Sequence, residues 1–384
     1  MLTVAIGHSS DVDTIDAIEE VLIQSKKSLN SLSAQSGILF CSIDQDFQSV
    51  LDRINQTYPG IELIGCTTDG EFSSVLGFAE DSILLILFHS DDCKLKAGVG
   101  RNVSDDPVAI VEEAVKSTIS QLKQEPKLCI VTPESLTTSA DAILHGLRKQ
   151  LGTNFPILGG TAGDQLRVCQ TFQFYNNEVL SNSAPFLLFS GPISLSFGVE
   201  SGWKPVGKKG KVTRVVNNIL YEIDDIPATD YYQHYLNIEL SEVVPEYPLA
   251  VYADNEEGYY LRNPVYFNKE DGSISFMGDI PPDATVQITH VERDGIIKAT
   301  EESATKAIKN FKGSTPKLAI CFSCAGRKLV LGTRTHEECQ TFEKNNTNLK
   351  VAGFYSYGEI APLEPNTLSR FHNETFITLL LGDE

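Results

Sequence analysis

Long apolar runs are missing from this chain. Nowhere in its 384 residues do about 20 apolar residues follow one another, the length a membrane-spanning helix needs. Positive charge is also short, with 31 Lys and Arg against 51 Asp and Glu and a formal net charge of −20. That balance argues against nucleic acid and anionic membrane as partners, because both select a basic surface. The acids are spread along the chain, as on a solvated surface. Lys204, Lys208, Lys209 and Lys211 make the single dense basic stretch, and its glycines read as an exposed loop. Met1 to Gly7 lack the basic region and apolar core of a signal peptide and read as a first strand, so a cytoplasmic location is expected.

Cofactor signatures are missing as well. No G-x-G-x-x-G with a ribose-binding acid about 20 residues on, and no G-x-x-x-x-G-K-[ST] loop, occurs. Cys321 and Cys324 form one C-x-x-C without a second pair at zinc spacing. The seven histidines show neither H-x₃-H nor H-E-x-x-H spacing. No cofactor or metal is expected. Cys41, Cys129, Cys169 and Cys321 are expected in apolar strands, where a free thiol acts as a small core residue.

What the chain does contain is one phrase written three times. Gly65-Cys66-Thr67-Thr68-Asp69-Gly70-Glu71 follows the apolar Ile61 to Ile64. Gly159-Gly160-Thr161-Ala162-Gly163-Asp164, one residue tighter, follows Pro156 to Leu158. Gly353-Phe354-Tyr355-Ser356-Tyr357-Gly358-Glu359 follows Leu349 to Ala352. Each copy reads as a strand, a glycine, small or hydroxyl residues, a second glycine, then a carboxylate. Glycine permits positive φ or a close backbone approach at such a passage. Loops of this kind at one rim are where α/β sheets bind ligands; a turn kept purely as architecture reads equally well.

The repetition extends outward. A cysteine-bearing strand precedes each phrase, around Cys41, Cys129 and Cys321. Between them lie helical candidates: Phe47, Val50, Leu51 and Ile54 on one face; Ile143, Leu147 and Leu151 after Ser139 and Asp141; and Cys339 and Phe342 after a capping-box spacing of Thr335 and Glu338. An apolar run follows each phrase, from Ile83, Phe186 and Phe376. Further helices are expected over Asp13–Leu29, Pro107–Leu122, Ala228–Leu236 and Thr300–Phe311, and hairpins at Asn217-Asn218 and Asp271-Gly272. The fold class is α/β: repeated strand-helix-strand-turn-strand units in mixed sheets with flanking helices and substantial parallel pairing. The texture changes near residue 200, which suggests two domains, 1–200 with two copies and 201–384 with a hairpin-rich insert and the third copy.

In their order along the chain these phrases resemble the FIST family of sensory proteins. The N-terminal likeness rests on Ile64 to Glu71 and Leu158 to Asp164. The C-terminal one rests on Asn218 to Asp224, Gly278-Asp279-Ile280-Pro281, Cys324-Ala325-Gly326-Arg327, Gly353 to Pro362 and Phe371 to Phe376. The resemblance implies an intracellular module with an N-terminal and a C-terminal FIST domain. Its ligands are small metabolites, with amino acids the favoured class. Family members often carry a signalling output domain. The two FIST parts take up this sequence, so a separately encoded signalling partner is expected.

An amino acid needs a cation or amide donors for its carboxylate and acceptors for its ammonium. Arg262 and Arg327 suit the first because a planar fork binds two oxygens at once, although each equally suits a structural salt bridge. Glu71, Asp164 and Glu359 suit the second, or bind backbone N–H groups in their own turns. Cys66, Thr67 and Tyr355 with Tyr357 belong to the same turns, and His372-Asn373 is polar where architecture asks for little. Two rivals stay open. One is a protein-interaction scaffold without a small ligand; the other is an enzyme using Cys66 as nucleophile, which would need a neighbouring base.

Overall fold

A computed structural model of the chain describes residues 1–237, 246–252, 258–343 and 349–384. The first repeat unit runs β1 (Leu2–Ser9), α1 (Thr14–Leu29), β2 (Ser36–Cys41), α2 (Phe47–Thr57), β3 (Glu62–Thr67), β4 (Glu71–Ser73), β5 (Gly77–Ala79) and β6 (Ile83–Ser90). The second runs β7 (Lys94–Arg101), α3 (Pro107–Ile119), β8 (Pro126–Val131), α4 (Ala140–Leu151), β9 (Ile157–Gly160), β10 (Gln173–Tyr175), β11 (Glu178–Leu180) and β12 (Ser183–Ser190). The third opens with β13 (Ile193–Glu200) and is then interrupted. The insert holds β14 (Lys204–Pro205), β15 (Gly210–Val216), β16 (Ile219–Ile223), β17 (Ile226–Pro227), α5 (Ala228–Leu236), β18 (Leu249–Tyr252), β19 (Tyr260–Arg262), β20 (Pro264–Phe267), β21 (Ile274–Phe276) and β22 (Thr285–His290). The unit resumes with α6 (Arg293–Asn310), β23 (Pro316–Cys324), α7 (Ala325–Leu331), α8 (His336–Glu343), β24 (Lys350–Ser356), β25 (Glu359–Pro362), β26 (Ser369–His372) and β27 (Phe376–Asp383).

The units build three sheets of one design. Their own strands lie in the orders β1-β6-β2-β3, β7-β12-β8-β9 and β13-β27-β23-β24. Each sheet is then extended by a hairpin from another unit: β10-β11 on β3, β25-β26 on β9 and β4-β5 on β24. The exchange is cyclic. Among the described residues only β2/β3, β8/β9 and β23/β24 pair parallel, against the substantial parallel pairing expected, because only these neighbours are joined through a helical crossover.

Strand periodicity sorts the side chains. Ile38, Phe40, Ile64, Leu128, Ile130, Leu158, Ile320, Phe322 and Phe354 face one shared core, where Phe40 and Phe354 stack at 4.3 Å. Their neighbours face outward against each unit's helices, Leu39 and Cys41 in the first, Cys129 and Val131 in the second, Cys321 and Val351 in the third. The insert carries its own core around Leu220, Tyr232, Phe276 and Val286.

Helix starts follow the sequence. Asp13 caps α1 by accepting from the Ile15 and Asp16 amides, and Pro107 opens α3. The α6 helix begins at Arg293, seven residues before the expected Thr300. The capping box read at Thr335 and Glu338 does not form, because the Glu338 carboxylate turns inward onto Arg327, Thr300 and Tyr355.

The first glycine of each phrase has one common cause. A Cβ on Gly65 would lie 2.0 Å from the Leu39 carbonyl oxygen, one on Gly159 1.9 Å from that of Val131, and one on Gly353 2.6 Å from that of Cys321. These are the paired residues on the adjoining parallel strand. Alanine there must push two strands apart. Gly65→Ala and Gly159→Ala are each expected to lower stability by about 1–3 kcal/mol, read from urea unfolding midpoints; an unchanged midpoint in both would count against the close approach.

Candidate functional site

The three glycine turns converge and are stitched together by backbone hydrogen bonds. The Gly163 amide donates to the Thr67 carbonyl at 2.8 Å, Thr161 to Gly358 at 2.9 Å, and Asp69 to Tyr355 at 2.9 Å. The side chains inside the turns repeat too. Thr68 and Ser82 hydroxyls both bond the Glu71 carboxylate, while Ser356 (2.8 Å) and Thr375 (2.8 Å) hydroxyls bond that of Glu359. The second turn has Asp164 where the others have glutamate. Its shorter carboxylate accepts instead from the amides of Val168, Cys169 and Gln170 and from the Tyr357 hydroxyl. Thr161, the counterpart of Thr68 and Ser356, is left with a buried Oγ1 that has no protein partner.

Most residues chosen from the sequence are occupied by the fold. Arg327 is fully buried, its guanidinium held by Glu338 (2.7 Å), Thr300 (2.9 Å) and the carbonyls of Ser201 and Ile296. Removing it would leave Glu338 as an uncompensated buried charge, a loss of about 3–5 kcal/mol. Tyr355 donates to Glu338 at 2.6 Å, and Thr67 Oγ1 accepts from the Phe172 amide at 3.1 Å. Cys66 packs in the shared core, where burial pushes its thiol well above the usual range. His372 is buried, with Nε2 on the Ala361 carbonyl at 2.9 Å. Asn373 accepts from the Asn263 amide at 3.1 Å, tying the insert to the third unit. Arg262 donates to the carbonyls of Asp279 (2.9 Å) and Phe371 (2.9 Å) and pairs with Asp141 at 3.2 Å.

Two cavities flank this last group. Arg262 lines one of about 500 Å³, with Asp141, Tyr260, Asp279 and Arg370. The other, about 600 Å³, lies where the second unit, the third unit and the insert meet. The second unit supplies the 135–140 loop, Thr161, Leu166 and Val168; the third supplies Cys324 to Gly326, Leu329, Tyr357, Phe371 and Asn373; the insert supplies Asn218, Asn263, Val265 and Phe276 to Asp279. Its walls are chiefly apolar. Among them the side-chain oxygens of Thr138, Thr161 and Asn263 are buried without a protein partner. Its described lining includes the carboxylate of Asp279 and no Lys, Arg or His. Burial, and then the charge of Asp141, raise Asp279 above its ordinary value. The arginine candidates and the glycine turns therefore do not share one chamber. Of the residues chosen from the sequence, Tyr357 and Asn373 line the larger cavity.

Family models match nearly the whole chain, the FIST N domain over residues 35–226 and the FIST C domain over residues 228–362. The protein belongs to the FIST family. FIST domains are of the sensory, small-ligand-binding kind. An uncharacterized protein of Methanocaldococcus jannaschii is 26% identical over 373 residues, covering 86% of this chain and 70% of its own. Two solved structures share a remote likeness. Cyanuric acid hydrolase from A. caulinodans has a TM-score of 0.39 at 8% identity, with 100% of both chains covered. A chorismatase has a TM-score of 0.36 at 7% identity, with 99% of this chain and 98% of its own covered. Likeness at this level carries no argument about activity.

The cavity of this FIST protein is built from residues that the choice by charge passed over. Thr138, Thr161 and Asn263 are short polar residues, each with a side-chain oxygen that no protein group bonds, while the Asp279 carboxylate accepts from Ser139. A signal for Thr161 was present: a hydroxyl three residues before an acid recurs in all three turns, and only here is the acid one methylene shorter.

Buried acids away from the cavity make the fold pH-dependent. Desolvation raises Asp69 to about 7 and Glu71 and Glu359 to about 8, and raises Glu374 as well. Their folded values lie above the unfolded ones, so the native state holds the extra protons and stability falls as pH rises toward 8. Burial lowers His8 to about 3 and His372 to about 4, which removes stability only below the ordinary histidine value of 6.5. Between about pH 6.5 and 8.5 the carboxylates therefore decide the sign. The urea midpoint should fall across that interval, and less steeply in Glu359→Gln; a midpoint that rises would contradict the buried protonated acids.

Proposed function

We propose that this FIST protein is an intracellular sensor binding a small metabolite in the 600 Å³ cavity, without turning it over. The size is that of a small-molecule pocket, which typically spans about 300–1,000 Å³. One observation carries the reading: Thr138, Thr161 and Asn263 line that cavity, and each holds a buried side-chain oxygen without a protein partner. A buried polar atom left unbonded costs about 1–3 kcal/mol, and a ligand that bonds it recovers this.

The lining selects the ligand's chemistry. Acceptor oxygens and the Asp279 carboxylate favour an ammonium or amide donor. Leu136, Val168, Val265, Phe276, Met277 and Phe371 favour an apolar body. Without a cation in the described lining, a phosphate or a dicarboxylate has no counter-charge. An amino acid with an apolar side chain fits best. Its carboxylate would be met by the start of α4, which lines the cavity at Ser139 and Ala140 and whose cap residue Ser139 makes no capping bond of its own. Because repeat units and insert both supply walls, a bound ligand pulls them together, and a separate partner protein can read that change.

Thermal unfolding against a panel of free amino acids and other small metabolites tests this. Binding to the folded state at about 100 times Kd adds about 2.7 kcal/mol, a rise of a few degrees. Apolar amino acids should give a saturable shift and phosphorylated metabolites none. Thr161→Val is expected to weaken the responding ligand by about tenfold, one hydrogen bond's worth, while leaving the ligand-free protein as stable or more so. A flat panel would favour the interaction scaffold.

A further inference from the structure

Leu166 and Leu329 line the apolar cavity and also a second one of about 580 Å³. The walls of this second cavity are charged. Arg167 pairs there with Asp44, Lys328 with Glu80 at 3.0 Å, and Gln165 donates to Asp81 at 2.6 Å. The two leucines thus form a ridge between an apolar chamber and a charged one. Both are partly exposed, 39% for Leu166 and 49% for Leu329, so neither is placed by burial in a core.

Leu166 is instead placed by backbone strain. Gln165, Leu166 and Val168 hold φ of +57°, +61° and +51°, a left-handed conformation that bulky and β-branched residues rarely adopt. Such strain persists only where the surroundings over-determine it, and it clusters at ligand clamps. Here Asp164 accepts from three amides of the segment, Val168 (2.9 Å), Cys169 (2.7 Å) and Gln170 (3.0 Å). Asp69 accepts from the Leu166 amide itself at 2.8 Å. Both acids belong to the glycine turns, so the turns that build the chamber also hold the leucine on its rim.

We propose that Leu166, with Leu329 beside it, sets the length of ligand the apolar chamber accepts by closing it against the charged one. The inference rests on the reading that the apolar chamber is the ligand site. A straight side chain that outgrows the chamber meets the ridge, and without the ridge it continues into the second cavity.

Calorimetric titration with L-norvaline, L-norleucine, L-2-aminooctanoate and L-2-aminodecanoate tests the idea on the full chain, Leu166→Gly and Leu329→Ala. Glycine adopts the conformation of residue 166 without strain, so that variant should fold. The native protein should bind more tightly with each methylene, by about fourfold, up to a limit and then lose affinity. Both variants should move that limit to a longer chain, with at least about a tenfold gain for the first acid the native protein rejects. A limit unchanged in both variants overturns the ridge while leaving the ligand site standing. No binding of any member by the native protein overturns the ligand site and the ridge with it.

Discussion

The exchange of hairpins between units is the constraint on which the rest of the structure depends, because a sheet ending at β3, β9 or β24 would expose a row of unpaired amides and carbonyls along a buried strand. Such an edge is costly inside a protein. Each unit covers its neighbour's edge and has its own covered in turn, so the three-membered cycle leaves no β3-type edge open. The exchange also dictates the turns. A chain that has just finished the strand containing Gly65, Gly159 or Gly353 must leave its own sheet within a few residues, crossing its counterparts at close quarters. A Cβ on Gly163 would stand 2.7 Å from the Asp69 carboxylate, and one on Gly358 2.2 Å from the Phe371 ring. The glycines belong to this crossing rather than to a phosphate loop.

Charge follows from the same geometry. The acid after each second glycine enters the protein interior with the departing chain, where a carboxyl group needs hydrogen-bond partners. Glu71 and Glu359 take hydroxyls from their own units, and Asp164 takes the amides of the loop it opens. With these acids bonded internally and Arg327 locked to Glu338, the junction is left with neutral oxygens and one half-buried carboxylate, Asp279. A site of that kind discriminates by hydrogen-bond count and shape more than by charge. On the function proposed above, it would suit a metabolite whose own charges cancel.

The sequence disclosed the unit and concealed its assembly. Cys41, Cys129 and Cys321 all face outward, though out of register with one another, and α1 and α3 start where their cap and proline say they should. The exchanged strands are three or four residues long and carry no periodic signal, so nothing local told that Glu71 pairs beside Phe354. The site was harder still. Arginine was the right residue type for a carboxylate, yet whether Arg327 is available depends on Glu338 folding back from a helix eleven residues later. Residue type reveals what a side chain can bind. Only packing reveals what it has already bound.

The insert singles out one junction of an approximately threefold framework. In the first and second units the strand β1 or β7 leads through a short loop into α1 or α3, but between β13 and α6 the chain builds a further sheet. That sheet leans back onto the repeats through Arg262, which reaches the Phe371 carbonyl, and through Asn263, which binds Asn373. It thereby roofs the gap between the second and third units, where Thr161 lacks its glutamate. The substitution of Asp164 for glutamate and the insertion after β13 thus act on the same place: one frees a hydroxyl and the other shields it from water. A threefold-symmetric arrangement with three bonded hydroxyls would have neither feature, so on the function proposed above departure from symmetry, rather than the repeat itself, carries the binding specificity.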